Sequence, residues 1–113
     1  VITPGKCVVL YCTAETREEA LAISRALIVE RLAACANILG SMTSVYEWQG
    51  ELQEAEEFSF IIKTSEEKSE DAVARIVALH SYECPCVLSL KGEGGYGPFL
   101  SWIGQQTGLL GDL

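Results

Sequence analysis

Apolar and polar positions alternate in period along this chain, and the changes of period mark its elements. Residues 7–13 (CVVLYCT) are short, β-branched and aromatic, and read as a buried strand. Thr16 followed by Glu19 forms a capping box, with Glu18 also near the positive end of a helix. Ala20, Ile23 and Leu27, then Leu21, Ile28 and Leu32, recur at three, four and seven, predicting a helix over 16–34. Its broad stripe reads as core packing. Residues 35–39 (CANIL) return as a strand that Gly40-Ser41 breaks. Ser44–Gln49 and Glu54–Thr64 alternate with strand period and form a hairpin whose turn carries Gly50 and Glu51.

Thr64 and Glu67 read as a second capping box, with Glu66, Glu67, Glu70 and Asp71 loading the first turns of the next helix. Its stripe is Ala72, Val73, Ile76 and Leu79 or His80. Val87–Lys91 is the last main strand, and Gly92–Gly97 a loop. Pro98 opens a short helix over 98–106. Residues 1–6 and 108–113 read as loose ends of a single domain over 1–113. The βαββαβ order predicts an α+β fold, the ferredoxin-like split βαβ, with an antiparallel sheet and helices on one face. The hairpin strands are long for so small a sheet, since strands usually run about 5–6 residues. Unpaired edges of that length invite pairing with another chain, so a closed homo-oligomer is expected.

Composition narrows the partners. The 113 residues carry eight lysines and arginines against sixteen aspartates and glutamates, a net charge of −8. Phosphate backbones and anionic membranes need a basic face, so neither nucleic acid nor membrane is expected. The early apolar run, Cys7–Cys12, is far short of the about 20 residues of a membrane helix. The chain opens on Val1, so a removed targeting segment stays open. Five cysteines, an odd number set mostly among apolar residues, point to a reducing cytoplasm rather than a disulfide scaffold. No G-x-S-x-G, P-loop, dinucleotide fingerprint or H-E-x-x-H is present, so neither an enzyme nor an organic cofactor is expected.

LYCTAETREEA, ERLAACANI, SVYEWQGELQEAEEFSFIIKT, HSYECP and FLSWI, in that order, resemble the CutA divalent-cation tolerance family from about Cys7 to Ile103. The resemblance implies a ferredoxin-like homotrimer with long hairpins reaching onto neighbours. It also implies a bacterial cytoplasmic location, tolerance to copper and other divalent ions, and copper binding in some members. The nitrogen-signalling PII proteins share this trimeric architecture and bind small molecules between subunits.

Cys12 and His80 match the family's cysteine and histidine, and thiolate with imidazole suits copper or zinc. The same residues also read as a small apolar filler and a helix cap. A histidine that copper-binding members can carry before His80 is Leu79 here, the following proline is Ser81, and the later glutamate is Cys86. Cys84-Pro85-Cys86 then sets two thiols at i and i+2, on one side of an extended segment. They either hold a soft ion, with His80 as a third ligand, or pack on the inner face of the sheet. Glu47, Glu51, Glu54, Glu56 and Glu57 read as a solvated hairpin, with Glu57 matching the family's cleft glutamate. Tyr46, Trp48, Tyr82 and Trp102 match aromatic family positions and, with Glu57, Lys63 and His80, are expected to line an inter-subunit cleft. Aromatic residues with few polar groups suit a ligand pocket and an interface equally.

Overall fold

The computed structural model describes residues 6–108, so most of both expected loose ends lies outside the described residues. Four strands form one antiparallel sheet in the order β2-β3-β1-β4. They are β1 (Cys7–Ala14), β2 (Cys35–Trp48), β3 (Glu51–Ser65) and β4 (Val87–Lys91). Helix α1 (Arg17–Val29) follows β1, α2 (Glu66–Leu79) follows β3, and α3 (Gly97–Gln106) closes the described chain. This is the expected βαββαβ order with a short C-terminal helix. The core lies between the sheet and the first two helices, where Leu10, Cys12, Phe60, Ile62, Leu27, Ala72 and Ile76 are fully enclosed. Each large side chain buried this way contributes about 1.5–3 kcal/mol.

α1 begins at the expected N-cap, though the returning Glu19 bond reaches one residue past it. Thr16 Oγ1 accepts from the Glu19 N–H at 3.1 Å, and Glu19 Oε1 reaches back to the Glu15 N–H at 3.2 Å. The helix ends at Val29, five residues before the predicted Ala34. Arg31 takes a left-handed φ of 60°, its N–H bonds the Ile28 carbonyl, and the Leu32 N–H bonds the Leu27 carbonyl. Those two bonds make a Schellman cap at a position where glycine is the usual signal. An arginine there carries no such signal, so the apolar stripe overran the true end.

β2 is continuous where a break was expected at Gly40-Ser41. The register shifts between Ile38 and Gly40, leaving Leu39 as a bulge, and Gly40 absorbs it at φ 136°. The turn is also one residue earlier than expected. Gln49 and Gly50 both have positive φ, 51° and 83°, as a tight two-residue hairpin demands. β3 therefore starts at Glu51, not Glu54. The second capping box does not form. Thr64 stays in β3 and donates to the Leu32 carbonyl at 2.7 Å, tying the strand to the end of α1. Ser65 is the N-cap of α2 and accepts instead from the Thr107 hydroxyl at 3.1 Å.

α3 belongs to the other side of the sheet. In this half of β3, Phe60, Ile62 and Thr64 face the helices, so Lys63 and Ser65 face away. Lys63 Nζ lies 5.8 Å from the Phe99 ring centre, and Phe99 stacks on Trp102 at 5.7 Å. β1 pairs with β3 only as far as Phe58, so Glu51–Glu57 pair with β2 alone. The result is a projecting ribbon that makes the molecule 54 Å long and 25 Å wide. Val45 and Leu52 on it are 62% and 75% exposed.

Candidate functional site

The root of this ribbon faces the segment between α2 and β4, and a cavity of about 470 Å³ opens between them. Tyr46 and Trp48, two apart on β2, supply one wall; Glu57 and Thr13 supply the floor; Ser81–Cys84 and Cys86 supply the other wall. Four side chains hold that last segment in place. The His80 Nε2 lies 2.7 Å from the Thr13 carbonyl, and the Tyr82 N–H lies 3.1 Å from His80 Nδ1. A carbonyl can only accept and an amide N–H can only donate. The imidazole therefore carries its proton on Nε2 and offers its Nδ1 lone pair to Tyr82. Glu19, the capping-box residue of α1, accepts the Ser81 N–H through Oε2 at 2.8 Å. Burial pushes the Glu19 carboxyl up, but the hydrogen bonds from Ser81 and Glu15 outweigh it and its pKa falls below the ordinary value.

Tyr82 then turns its ring into the cleft. Its hydroxyl donates to Glu57 Oε2 at 2.8 Å, and its ring leans on His80 at 4.7 Å between centres. Burial first, and then the Glu57 bond and charge, push the Tyr82 phenol well above its ordinary value. Glu57 is only 6% exposed. Its partner within the chain is this phenol, while Lys63 sits under α3. The other hairpin glutamates are exposed, and Glu56 accepts from Thr43 Oγ1 at 2.6 Å.

The predicted site residues thus fall into three groups. Tyr46, Trp48, Glu57, Tyr82, Cys84 and Cys86 share the cleft. Lys63 and Trp102 lie together beside Phe99, at α3. Cys12 and His80 are enclosed behind the cleft. Cys12 has no exposed surface, and burial, with a smaller effect of the Cys86 charge, pushes its thiol up to about 12. Such a thiol is not a ready thiolate. Both His80 ring nitrogens are already engaged. Cys84 and Cys86 are exposed, so the alternative of packing on the inner sheet face is overturned. The chain bends through Ser81–Cys84 before β4 starts at Val87, which carries both thiols off the sheet. Among the described residues, no three histidine, cysteine, aspartate or glutamate side chains converge as a metal-ligand set.

Sequence reasoning missed Thr13, Ser81, Glu83 and the anchoring role of Glu19. Glu83 was findable from its place between Tyr82 and Cys84. Thr13 and Ser81 act through their main-chain groups, and Glu19 through a carboxylate bonded to the distant Ser81 N–H, and such long-range meetings leave no mark in residue type.

A βαββαβ sheet with a lateral cleft at the root of an overlong hairpin defines a ferredoxin-like α+β domain with a ligand-sized side pocket. The chain belongs to the CutA1 divalent ion tolerance protein family, whose sequence model matches residues 8–106. It is 38% identical over 100 residues to the divalent-cation tolerance protein CutA of Thermus thermophilus, covering 88% of this chain and 97% of that one. The CutA of Archaeoglobus fulgidus is 38% identical over 98 residues, covering 87% and 95%. The crystal structure of the divalent ion tolerance protein CutA1 from Ehrlichia chaffeensis superimposes with a TM-score of 0.87 at 33% identity, covering 91% of this chain and 96% of that one. That of CutA1 from Oryza sativa gives 0.88 at 33% identity, covering 93% and 96%.

Proposed function

We propose that this is a non-catalytic, homotrimeric divalent-cation tolerance protein that holds copper or a similar soft ion at the cleft through Cys84 and Cys86. The observation that carries this reading is the pair of exposed thiols lining one cavity. Thiolates select copper(I) and zinc over harder ions. Cys12 and His80 were first expected as ligands; in this reading Cys12 packs in the core and His80 seats the segment that presents the two thiols. Two sulfurs are short of the four ligands of a closed zinc site, so a second copy supplies the rest at the seam. The projecting ribbon, with Val45 and Leu52 uncovered, supports that assembly. Five free cysteines fit a reducing cytoplasm, and a net charge of −8 fits neither nucleic acid nor an anionic membrane as partner.

Copper(I) titration of the reduced protein by chelator competition tests the ligand set. Saturable binding that persists in Cys12→Ser and disappears in Cys84→Ser/Cys86→Ser is expected. Unchanged binding in the double variant removes the proposal. Sedimentation equilibrium tests the assembly, which should weigh three times the 12.3 kDa chain. The aromatic wall of the same cleft, Tyr46, Trp48 and Tyr82, favours a second reading, a small-molecule sensor.

A further inference from the structure

The cleft combines three aromatic faces with unneutralised negative charge. Its lining includes two carboxylates, Glu57 and Glu83, and no lysine or arginine. Glu57 is more than nine-tenths buried, yet its one hydrogen bond among the described residues goes to Oε2, leaving Oε1 without a donor. A carboxylate bonded through one oxygen, with the other open to the cleft, favours a counter-charge at that free oxygen. Tyr46 and Trp48 stand two residues apart and so project from the same side of β2. They keep 44% and 43% of their surface uncovered, which leaves aromatic area for a ligand to cover. Tyr82, fixed by Glu57 and His80, closes the third side. Aromatic faces attract cations, most strongly where water is excluded. A volume of about 470 Å³ exceeds what a bare metal ion needs and falls in the range of small-molecule sites.

We propose that this cleft binds a small organic cation, an alkylated or primary ammonium head held on Tyr46, Trp48 and Tyr82 with Glu57 as its counter-charge. The site uses residues other than the two thiols, so it stands or falls separately from the metal reading. The surrounding field favours it too, since the chain carries −8 overall.

The test is calorimetric titration of the assembled, reduced protein with choline. A parallel titration uses the neutral isostere in which a tert-butyl group replaces the trimethylammonium head. Saturable choline binding about ten-fold tighter than the isostere is expected, a difference of about 1.4 kcal/mol. Glu57→Gln removes the charge and Trp48→Leu removes the quadrupole while keeping an apolar surface. Each should weaken choline binding about ten-fold and bring it level with the isostere. Trp48 is half exposed, so its replacement probes the cage without disturbing the core. Equal affinity for the two probes overturns the proposal. So does the absence of saturable choline binding, the outcome if a basic side chain of a second copy fills the cage.

Discussion

Replacing Tyr82 by phenylalanine removes one oxygen and leaves the ring in place, so it isolates the bond that organises the cleft. The lost contact is a 2.8 Å hydrogen bond to a carboxylate that is 6% exposed. Hydrogen bonds to charged groups contribute about 1.5–3 kcal/mol, and most of the cost comes from stranding the buried partner. The cleft admits water to the Glu57 side, which offsets part of the loss, so about 1.5 kcal/mol is expected near neutral pH. Urea unfolding followed by tryptophan fluorescence measures it, at matched protein concentration because assembly contributes to stability. A double-mutant cycle with Glu57→Gln should return a coupling energy of about 1 kcal/mol. The pH dependence adds a sign. Tyr82 ionises less readily in the fold than in the unfolded chain. Its contribution is therefore complete below the unfolded tyrosine value, about 10, and is lost progressively as pH rises from there toward the higher folded value. The gap between parent and Tyr82→Phe should narrow there. A loss under about 0.5 kcal/mol with no coupling to Glu57 refutes the reasoning, because an ordinary surface change costs that little.

Thiol chemistry should sort the cysteines by position. A maleimide at neutral pH should label exposed Cys84 and Cys86 promptly and leave enclosed Cys12 unmodified until the protein unfolds, read by mass spectrometry of peptides. Thr16→Ala removes the acceptor of the Glu19 N–H at the start of α1 and should cost about 1 kcal/mol in the same urea assay, leaving copper titration unchanged.

The identity of nearly every element was legible in the letters, because each depends on neighbours within a few residues. Alternation in FSFIIKT places Phe60 and Ile62 in the core, and the Thr16–Glu19 pair opens α1 as read. The misses occur where a nonlocal contact outbids a local pattern. Thr64 looks like a helix cap beside Glu67, but the Leu32 carbonyl, thirty-two residues back, takes its hydroxyl. Arg31 ends α1 in a conformation that its side chain does not advertise. Six of the ten candidate residues were brought together as their types suggested: Tyr46, Trp48, Tyr82, Glu57 and the two thiols share a cleft. The other four lie elsewhere. Lys63 and Trp102 belong to α3, and His80 supports the site from behind it.

By itself, then, the order of residues determined periodicity, caps, the hairpin, the acidic balance and membership of a family. Those are properties of short windows or of composition, where backbone geometry leaves few choices. Only the tertiary structure decided which groups meet. β1 pairs with both β3 and β4, and this brings Thr13 to His80, Tyr82 to Glu57 and Ser81 to Glu19 across gaps of twenty-five to sixty-seven residues. Whether a histidine nitrogen is free, or a thiol faces water, follows from those meetings. A side chain's chemistry is set by what surrounds it, and its surroundings are assembled from distant parts of the chain.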